Sequence, residues 1–123
     1  MSETRYTFTK QQRVRTKTEF SRVFEAGMKV SRGPLTALAI PTEQKKPRLG
    51  LSVNRRVGTA PRRNRIKRLL RESFRLMQHD FPQSYDLVLI VRPHPPLILA
   101  EYQKLLTAIV VKLHNAWQSR EPK

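Results

Sequence analysis

The sequence predicts a single domain of mixed α/β class, and three patterns carry this prediction. The segment 48–54 alternates apolar with small or polar residues, which is typical of a strand with one buried face. The segment 87–91 is apolar throughout, which indicates a strand covered on both sides. Apolar residues recur at helical spacing in 60–79 and again in 102–117. A chain of 123 residues has the length of one domain with one modest core.

A short helix is predicted near the N-terminus. Thr16 and Glu19 have the spacing of a capping box, in which both side chains satisfy free amides at a helix start. The helix then presents one apolar face, formed by Phe20, Val23 and Phe24. Residues 1–15 are basic with few apolar side chains, so we expect a flexible arm before a domain at 16–118 and a short tail at 119–123.

Two strands joined by a loop are predicted next. The segment 35–40 is an apolar run of strand length between two prolines, and the polar loop 42–47 connects it to 48–54. This arrangement predicts an antiparallel hairpin. Alternate residues of the second strand would face the core, and the opposite face would be small and polar, formed by Gly50, Ser52 and Asn54. The pattern leaves open a further short strand near 28–31.

A long helix that begins near Pro61 and ends near His79 has two different faces. At 100° per residue, its apolar side chains fall within one arc of about 140°. A separate arc of about 100° is cationic and polar, formed by Asn64, Lys67, Arg68, Arg71 and Arg75. The helix is therefore expected to bury one face and present a basic surface on the other.

The last two elements are a strand and a helix. The strand 87–91 suits a parallel strand reached by a helical crossover, and Arg92-Pro93 ends it. The final helix carries an apolar stripe from Tyr102 to Trp117 with a nearly neutral remainder. The predicted order is α, two or three strands, α, β, α, without an internal repeat.

The formal net charge of +16 is concentrated in one part of the chain. Residues 1–79 hold 20 basic and 5 acidic side chains, whereas residues 80–123 hold 5 and 4. The segment 55–75 alone holds nine basic side chains and one acidic one. Such a concentration indicates a binding surface for a polyanion, most simply a nucleic acid. Arginine predominates there, and its planar guanidinium group forms bidentate contacts with phosphate.

Composition argues against several other classes of protein. The chain has no cysteine, so disulfides, thiolate zinc sites and cysteine nucleophiles are excluded. It has no apolar run of spanning length and begins without the apolar stretch of a secretory signal, so we expect a cytoplasmic protein that binds no membrane. The nine acidic residues are scattered, and the three histidines are far apart in sequence. We therefore expect no catalytic residue and no metal site in the protein itself.

The residues alone leave two interpretations of Phe20 and Phe24 open. At a spacing of four on a short helix, they suit the core. Their basic neighbours Lys17, Arg22 and Lys29 also suit aromatic side chains that stack on single-stranded bases.

The segment 55–72 closely resembles the signature of the bacterial ribonuclease P protein subunit. Its centre is Arg63-Asn64-Arg65, followed by Lys67-Arg68 and Arg71-Glu72. The resemblance extends to Phe20-Ser21-Arg22-Val23-Phe24, to Leu49-Gly50-Leu51-Ser52-Val53 and to the apolar strand before Arg92-Pro93. It thus covers nearly the whole chain from Thr16 onward.

This resemblance implies an α/β sandwich like domain 2 of ribosomal protein S5, of order α-β-β-β-α-β-α, with an unusual left-handed β-α-β crossover. It implies two partners, the catalytic ribonuclease P RNA and the 5′ leader of precursor tRNA, and no obligate protein partner. The holoenzyme removes the leader to give the mature 5′ end. Magnesium ions are bound mainly by the RNA, and the protein supports their productive binding and broadens the substrate range.

The resemblance also implies site residues by position. Residues expected to bind the catalytic RNA are Arg55, Arg56, Arg62, Arg63, Asn64, Arg65, Lys67, Arg68 and Arg71. Residues expected along a cleft for the single-stranded leader are Phe20, Phe24, Lys17, Arg22, Ser52 and Asn54. Some family members place an aromatic residue on the second strand, whereas 35–40 has only aliphatic and small residues. Stacking on the leader is therefore expected to be weaker or to depend on the two phenylalanines.

Three other functions compete with this interpretation. A ribosomal or other structural RNA-binding protein would have a similar size and charge. A DNA-binding regulator would place the basic helix in a major groove, but the cationic face offers only Asn64 for reading base edges. An independent protein nuclease would need clustered carboxylates, which the sequence lacks.

Overall fold

The computed structural model describes residues 12–120. In this part of the chain three helices and four strands follow the predicted order α-β-β-β-α-β-α. They are α1 Lys17–Ala26, β1 Met28–Arg32, β2 Leu35–Pro41, β3 Arg48–Ser52, α2 Ala60–Met77, β4 Tyr85–Val91 and α3 Leu99–Arg120. Single turns of 3-10 helix cover Arg55–Val57 and Gln78–Asp80. Across these residues, no helix combines the length and apolar character needed to cross a membrane.

The four strands form one sheet in the order β1-β2-β4-β3. The predicted hairpin of 35–40 with 48–54 is wrong, because β4 lies between those two strands and pairs with both. The wholly apolar β4 takes this inner place, where both of its backbone edges are paired and both of its faces are covered. The hairpin is formed instead by β1 and β2, whose turn contains Gly33 with φ +57°.

Helix α2 connects two neighbouring parallel strands. β3 pairs parallel with β4, in register from Arg48 opposite Asp86 to Ser52 opposite Ile90. β2 pairs antiparallel with β4 on the other side. The predicted parallel strand reached by a helical crossover is thus confirmed, and the left-handed sense of that crossover stays a prediction.

The larger core lies between the sheet and helices α2 and α3. The sheet contributes every second residue of β2 and β4, together with Leu49 and the half-buried Leu51 of β3. Helix α2 contributes Ile66, Leu70, Phe74 and Met77, and helix α3 contributes Tyr102, Leu106, Ile109, Val110 and Leu113. The apolar arcs predicted for both helices are therefore the faces that pack.

Helix α1 covers the opposite face of the sheet. Val23 of α1 is completely buried against Leu38, Ile40 and Val88. The sheet is thus a sandwich layer with helices on both sides, as the α/β prediction requires. At the end of α3, Trp117 Nε1 donates a hydrogen bond to the carbonyl of Ala39 at 2.9 Å.

The segment before α1 packs along the free edge of β3. Val14 is buried, and its amide donates to the carbonyl of Leu49 at 3.0 Å. Gln12 is 1% exposed, and its Nε2 donates to Gln78 Oε1 at 2.8 Å. Residues 12–15 of the expected arm thus make defined contacts with the domain, and the flexibility of the arm stays a prediction. The rest of the expected arm, residues 1–11, lies outside the described residues, as do residues 121–123 of the expected tail.

Candidate nucleic-acid interface

The cationic surface of α2 follows from the packing of its other face. Burial of Ile66, Leu70 and Phe74 fixes the rotation of the helix, so the intervening residues point away from the core. Asn64, Arg65 and Arg68 are exposed, and Lys67 and Arg71 are half-buried. The helix begins at Ala60 after the N-cap residue Thr59 and carries a proline in its first turn. The predicted division of α2 into a core face and a basic face is confirmed.

Arg55 and Arg56 extend this surface at the end of β3. Both lie exposed in the 3-10 turn Arg55–Val57, which leads from the sheet into α2. The side chain of Asn54 caps the turn, since its Oδ1 accepts from the amide of Arg56 at 3.0 Å. Asn54 is itself exposed, and this cap helps to fix the backbone that carries the two arginines.

Arg62 and Arg63 are half-buried and bind backbone carbonyls of the protein. Arg62 Nε donates to Val57 at 3.3 Å, and Arg62 Nη2 donates to the carbonyl of His94 in the loop after β4. Arg63 Nε donates to Gly58 at 3.2 Å. These two residues therefore anchor the start of α2. Only the guanidinium N–H groups that do not bind these carbonyls can donate to a phosphate.

Arg13 joins the basic surface, although the sequence analysis placed it in the arm. It lies beside α2 in a groove lined by Arg13, Arg68, Leu69, Arg71, Glu72 and Arg75. Burial, and next the positive charge of Arg13, lower the pKa of Arg71 below its ordinary value. Two guanidinium groups that line one groove offer an anion two cationic partners. Sequence position alone gave no signal for this, because the placement depends on the pairing of residues 13 and 14 with β3.

Arg75 is bound within its own helix. Its Nε and Nη2 donate to the two carboxylate oxygens of Glu72 at 2.6 and 2.8 Å. The hydrogen bond from Arg75 lowers the pKa of Glu72 below its ordinary value. Glu72 is the one acidic residue in the segment 55–75, and it pairs with Arg75, so Arg68 and Arg71 line the groove without an ion pair to Glu72.

A second candidate surface lies between α1 and the sheet. Phe20 is half-buried with its ring over Gly50, and Phe24 is 45% exposed. The two ring centroids are 6.3 Å apart with an angle of 27° between the planes. Phe20 contacts the smaller core and is only half-buried, so the core interpretation holds for it in part, and its stacking on bases stays a prediction. Phe24 has the exposure that a stacking residue needs.

The floor of this cleft is a row of three small residues and Ile90 across the sheet. The register places Ser31 opposite Thr36, Thr36 opposite Ile90, and Ile90 opposite Ser52. The hydroxyls of Ser31 and Thr36 are 3.1 Å apart. Only Ser52 of this row could be predicted from the sequence, because the row depends on β4 lying between β2 and β3. Lys17 and Arg22 are exposed on α1.

A comparison with protein families identifies the chain. The family model described as Ribonuclease P matches residues 8–117. The chain belongs to the ribonuclease P family. Bacterial ribonuclease P proteins bind RNA as components of a tRNA-processing nuclease, and membership implies partnership with ribonuclease P RNA.

Solved structures of ribonuclease P proteins share the fold. A Staphylococcus aureus RNase P protein, a mutant with defective mRNA degradation activity, has a TM-score of 0.74 at 26% identity, covering 86% of this chain and 90% of that one. The Thermotoga maritima RNase P protein has a TM-score of 0.73 at 27% identity, covering 81% and 96%. These matches confirm the recognised family and the mixed α/β fold.

Proposed function

We propose that this chain is the protein subunit of a ribonuclease P holoenzyme that cleaves the 5′ leader from precursor tRNA in the cytoplasm, with the RNA subunit as the catalyst. The observation that carries the proposal is the rigid cationic surface of α2 in a member of this family. The protein acts by binding two RNA segments on two separate surfaces.

The α2 surface binds the catalytic RNA. A helix holds guanidinium groups at fixed spacing, so they can engage several phosphates of a folded RNA together. Arg65, Lys67 and Arg68 project from the middle of the helix, and Arg55 and Arg56 continue the surface beyond its start. Arg13 and Arg71 take a phosphate in the groove at its other end. Arg62, Arg63 and Asn64 complete the set at the first turns.

The cleft between α1 and the sheet binds the single-stranded leader. Phe24, and the exposed edge of Phe20, stack on bases, while Lys17 and Arg22 contact the phosphates. Ser52 and Asn54 lie along the same cleft. Stacking and phosphate contacts tolerate different sequences, which suits an enzyme that acts on many precursors.

Magnesium acts on the RNA side of the interface. Among the residues that the structure describes, no three His, Asp or Glu side chains are grouped so that they could hold a metal ion. The basic surfaces do not suit a divalent cation, so no step of the reaction is assigned to a metal held by this protein. The protein's role is to neutralise RNA phosphates, which lets the two RNAs approach and bind magnesium productively.

Reconstitution tests this function. The purified chain is mixed with bacterial ribonuclease P RNA and 5′-labelled precursor tRNA at low magnesium, with protein-alone and RNA-alone controls. Cleavage at the mature 5′ end only when both components are present supports the proposal. Cleavage by the protein alone would contradict RNA catalysis. RNA binding without stimulated cleavage would indicate a structural RNA-binding protein instead.

A further inference from the structure

Arg48 connects three elements below the cleft. It is the first residue of β3 and is 7% exposed. Its Nε and Nη2 donate to the two carboxylate oxygens of Asp86 in β4 at 2.8 and 2.7 Å. Its Nη1 donates to Glu19 Oε2 of α1 at 2.5 Å. One guanidinium group thus ties helix α1 to two paired strands.

Glu19 has two functions at the start of α1. Its Oε1 accepts from the amides of Arg15 and Thr16, both at 3.0 Å, while Oε2 accepts from Arg48. These hydrogen bonds, led by the one from the Thr16 amide, lower the pKa of Glu19 to about 2. The carboxylate therefore stays ionised at neutral pH. The same group that caps the helix fixes the helix to the sheet.

This connection lies next to the aromatic residues of the cleft. Phe20 follows Glu19 directly, and its ring lies over Gly50, two residues along β3 from Arg48. Phe24 is one helical turn further on and stacks beside Phe20. The contact between Arg48 and Glu19 therefore holds the first turn of α1 against the sheet, directly before Phe20.

We propose that Arg48 is a positioning residue for the single-stranded leader: by joining Glu19 to Asp86, it holds α1 over the sheet so that Phe20 and Phe24 present their rings to the bases. This inference rests on the proposed leader site. A bidentate pair imposes geometry as well as attraction. Buried ion pairs of this kind often add little to net stability, so a role in orientation is the better account of three charges at this site.

The test uses Glu19→Gln, because replacing Arg48 would leave Asp86 buried without its partner and would disturb folding. Glutamine keeps an oxygen for the helix cap but loses the charge that binds Arg48. Thr16→Ala is the matched control, since it removes the other half of the capping box and leaves the contact with Arg48. Holoenzymes assembled with each variant are compared for affinity to two precursors, one with a long leader and one with a single-nucleotide leader.

We expect Glu19→Gln to weaken binding of the long-leader precursor about fivefold, with the short-leader precursor and the catalytic RNA unaffected. Thr16→Ala should change neither precursor by more than about twofold. In the free protein, the NMR shift of the Gly50 Hα proton that points toward the Phe20 ring should move in Glu19→Gln and stay in place in Thr16→Ala. A merely stabilising role would not produce this pattern.

Equal weakening of both precursors, or no effect on either, would overturn the inference. Phe24→Ala separates this failure from failure of the leader site itself, because Phe24 is exposed and its loss should not disturb folding. If Phe24→Ala weakens only the long-leader precursor and Glu19→Gln does not, the positioning role is wrong and the leader site stands. If neither variant has a leader-dependent effect, the leader site is wrong, and the inference falls with it.

Discussion

The ring of Phe20 lies directly on the backbone of Gly50. A Cβ atom at Gly50 would come within 2.9 Å of Phe20 Cζ and equally close to the Cβ of Val14. Glycine at this position therefore allows both α1 and the segment before it to approach β3.

Gly50→Ala should destabilise the protein by about 1–3 kcal/mol, because both Phe20 and Val14 have to move away from the added methyl group. Urea denaturation of the free protein measures this change. Ser52→Ala, on the same face of the same strand but only half-buried, is the control and should stay within about 0.5 kcal/mol. A fully stable Gly50→Ala protein would show that α1 is not held this closely.

Arg68→Ala and Arg71→Ala should weaken assembly with the catalytic RNA more than they weaken contact with the leader. Each removes a cation that faces the groove beside α2, so affinity for the RNA should fall roughly 3- to 10-fold and the salt slope by about one. Filter binding at several salt concentrations measures both. Lys112→Ala, exposed on α3, is the control. Equal losses in the RNA and leader assays would remove the distinction between the two surfaces.

Arg13→Gln should also weaken binding of the catalytic RNA, by about threefold, because Arg13 lines the groove with Arg68 and Arg71. Arg15→Gln tests whether this is only an effect of net charge, since Arg15 is an exposed neighbour outside the groove lining. The same titration of labelled RNA is sufficient. Equal effects of the two substitutions would mean that the groove is not a specific phosphate site.

Leader binding should depend on salt as expected for a few phosphate contacts. If Lys17 and Arg22 each neutralise one phosphate of the single strand, the leader should contribute a logarithmic salt slope of about −1.4. The leader's contribution is measured as the salt slope for a long-leader precursor minus the salt slope for a short-leader precursor, both bound to the same holoenzyme. A difference near zero would mean that the leader is bound without phosphate contacts.

Acid should remove the stabilising contribution of Glu19. The folded protein lowers the pKa of Glu19 from 4.5 to about 2, so this contribution is complete above pH 4.5 and is lost as the pH falls toward 2. The difference in free energy of unfolding between the wild-type protein and Glu19→Gln should therefore be larger at about pH 6 than at about pH 3. A constant difference would contradict the lowered pKa.

Local patterns were sufficient to predict much of this molecule. The capping box of Thr16 and Glu19 and the two faces of α2 depend on residues a few positions apart, and both are present as predicted. Contacts between residues far apart in sequence could not be predicted from local patterns. The contact of Arg48 with Glu19 and Asp86, and the proximity of Arg13 to Arg71, depend on which strands become neighbours. Alternation of apolar residues shows that a strand exists but does not show its neighbours.

The hairpin prediction failed for the same reason. A short loop between two strands normally favours direct pairing, and nothing local to 35–54 indicates that a later strand will lie between them. The row Ser31, Thr36, Ile90 and Ser52 therefore could not be assembled from the sequence.

The inner place of β4 affects how the chain can fold during its synthesis. β1 and β2 can pair as soon as they are made, but β3 has no partner strand until β4 follows it, some thirty residues later. The edges of β2 and β3 that pair with β4 stay unpaired until that strand is made, although the basic helix α2, which precedes β4, is already complete. Folding therefore depends on late, long-range pairing, and a nascent chain that stops before Tyr85 would expose two unpaired edges open to aggregation.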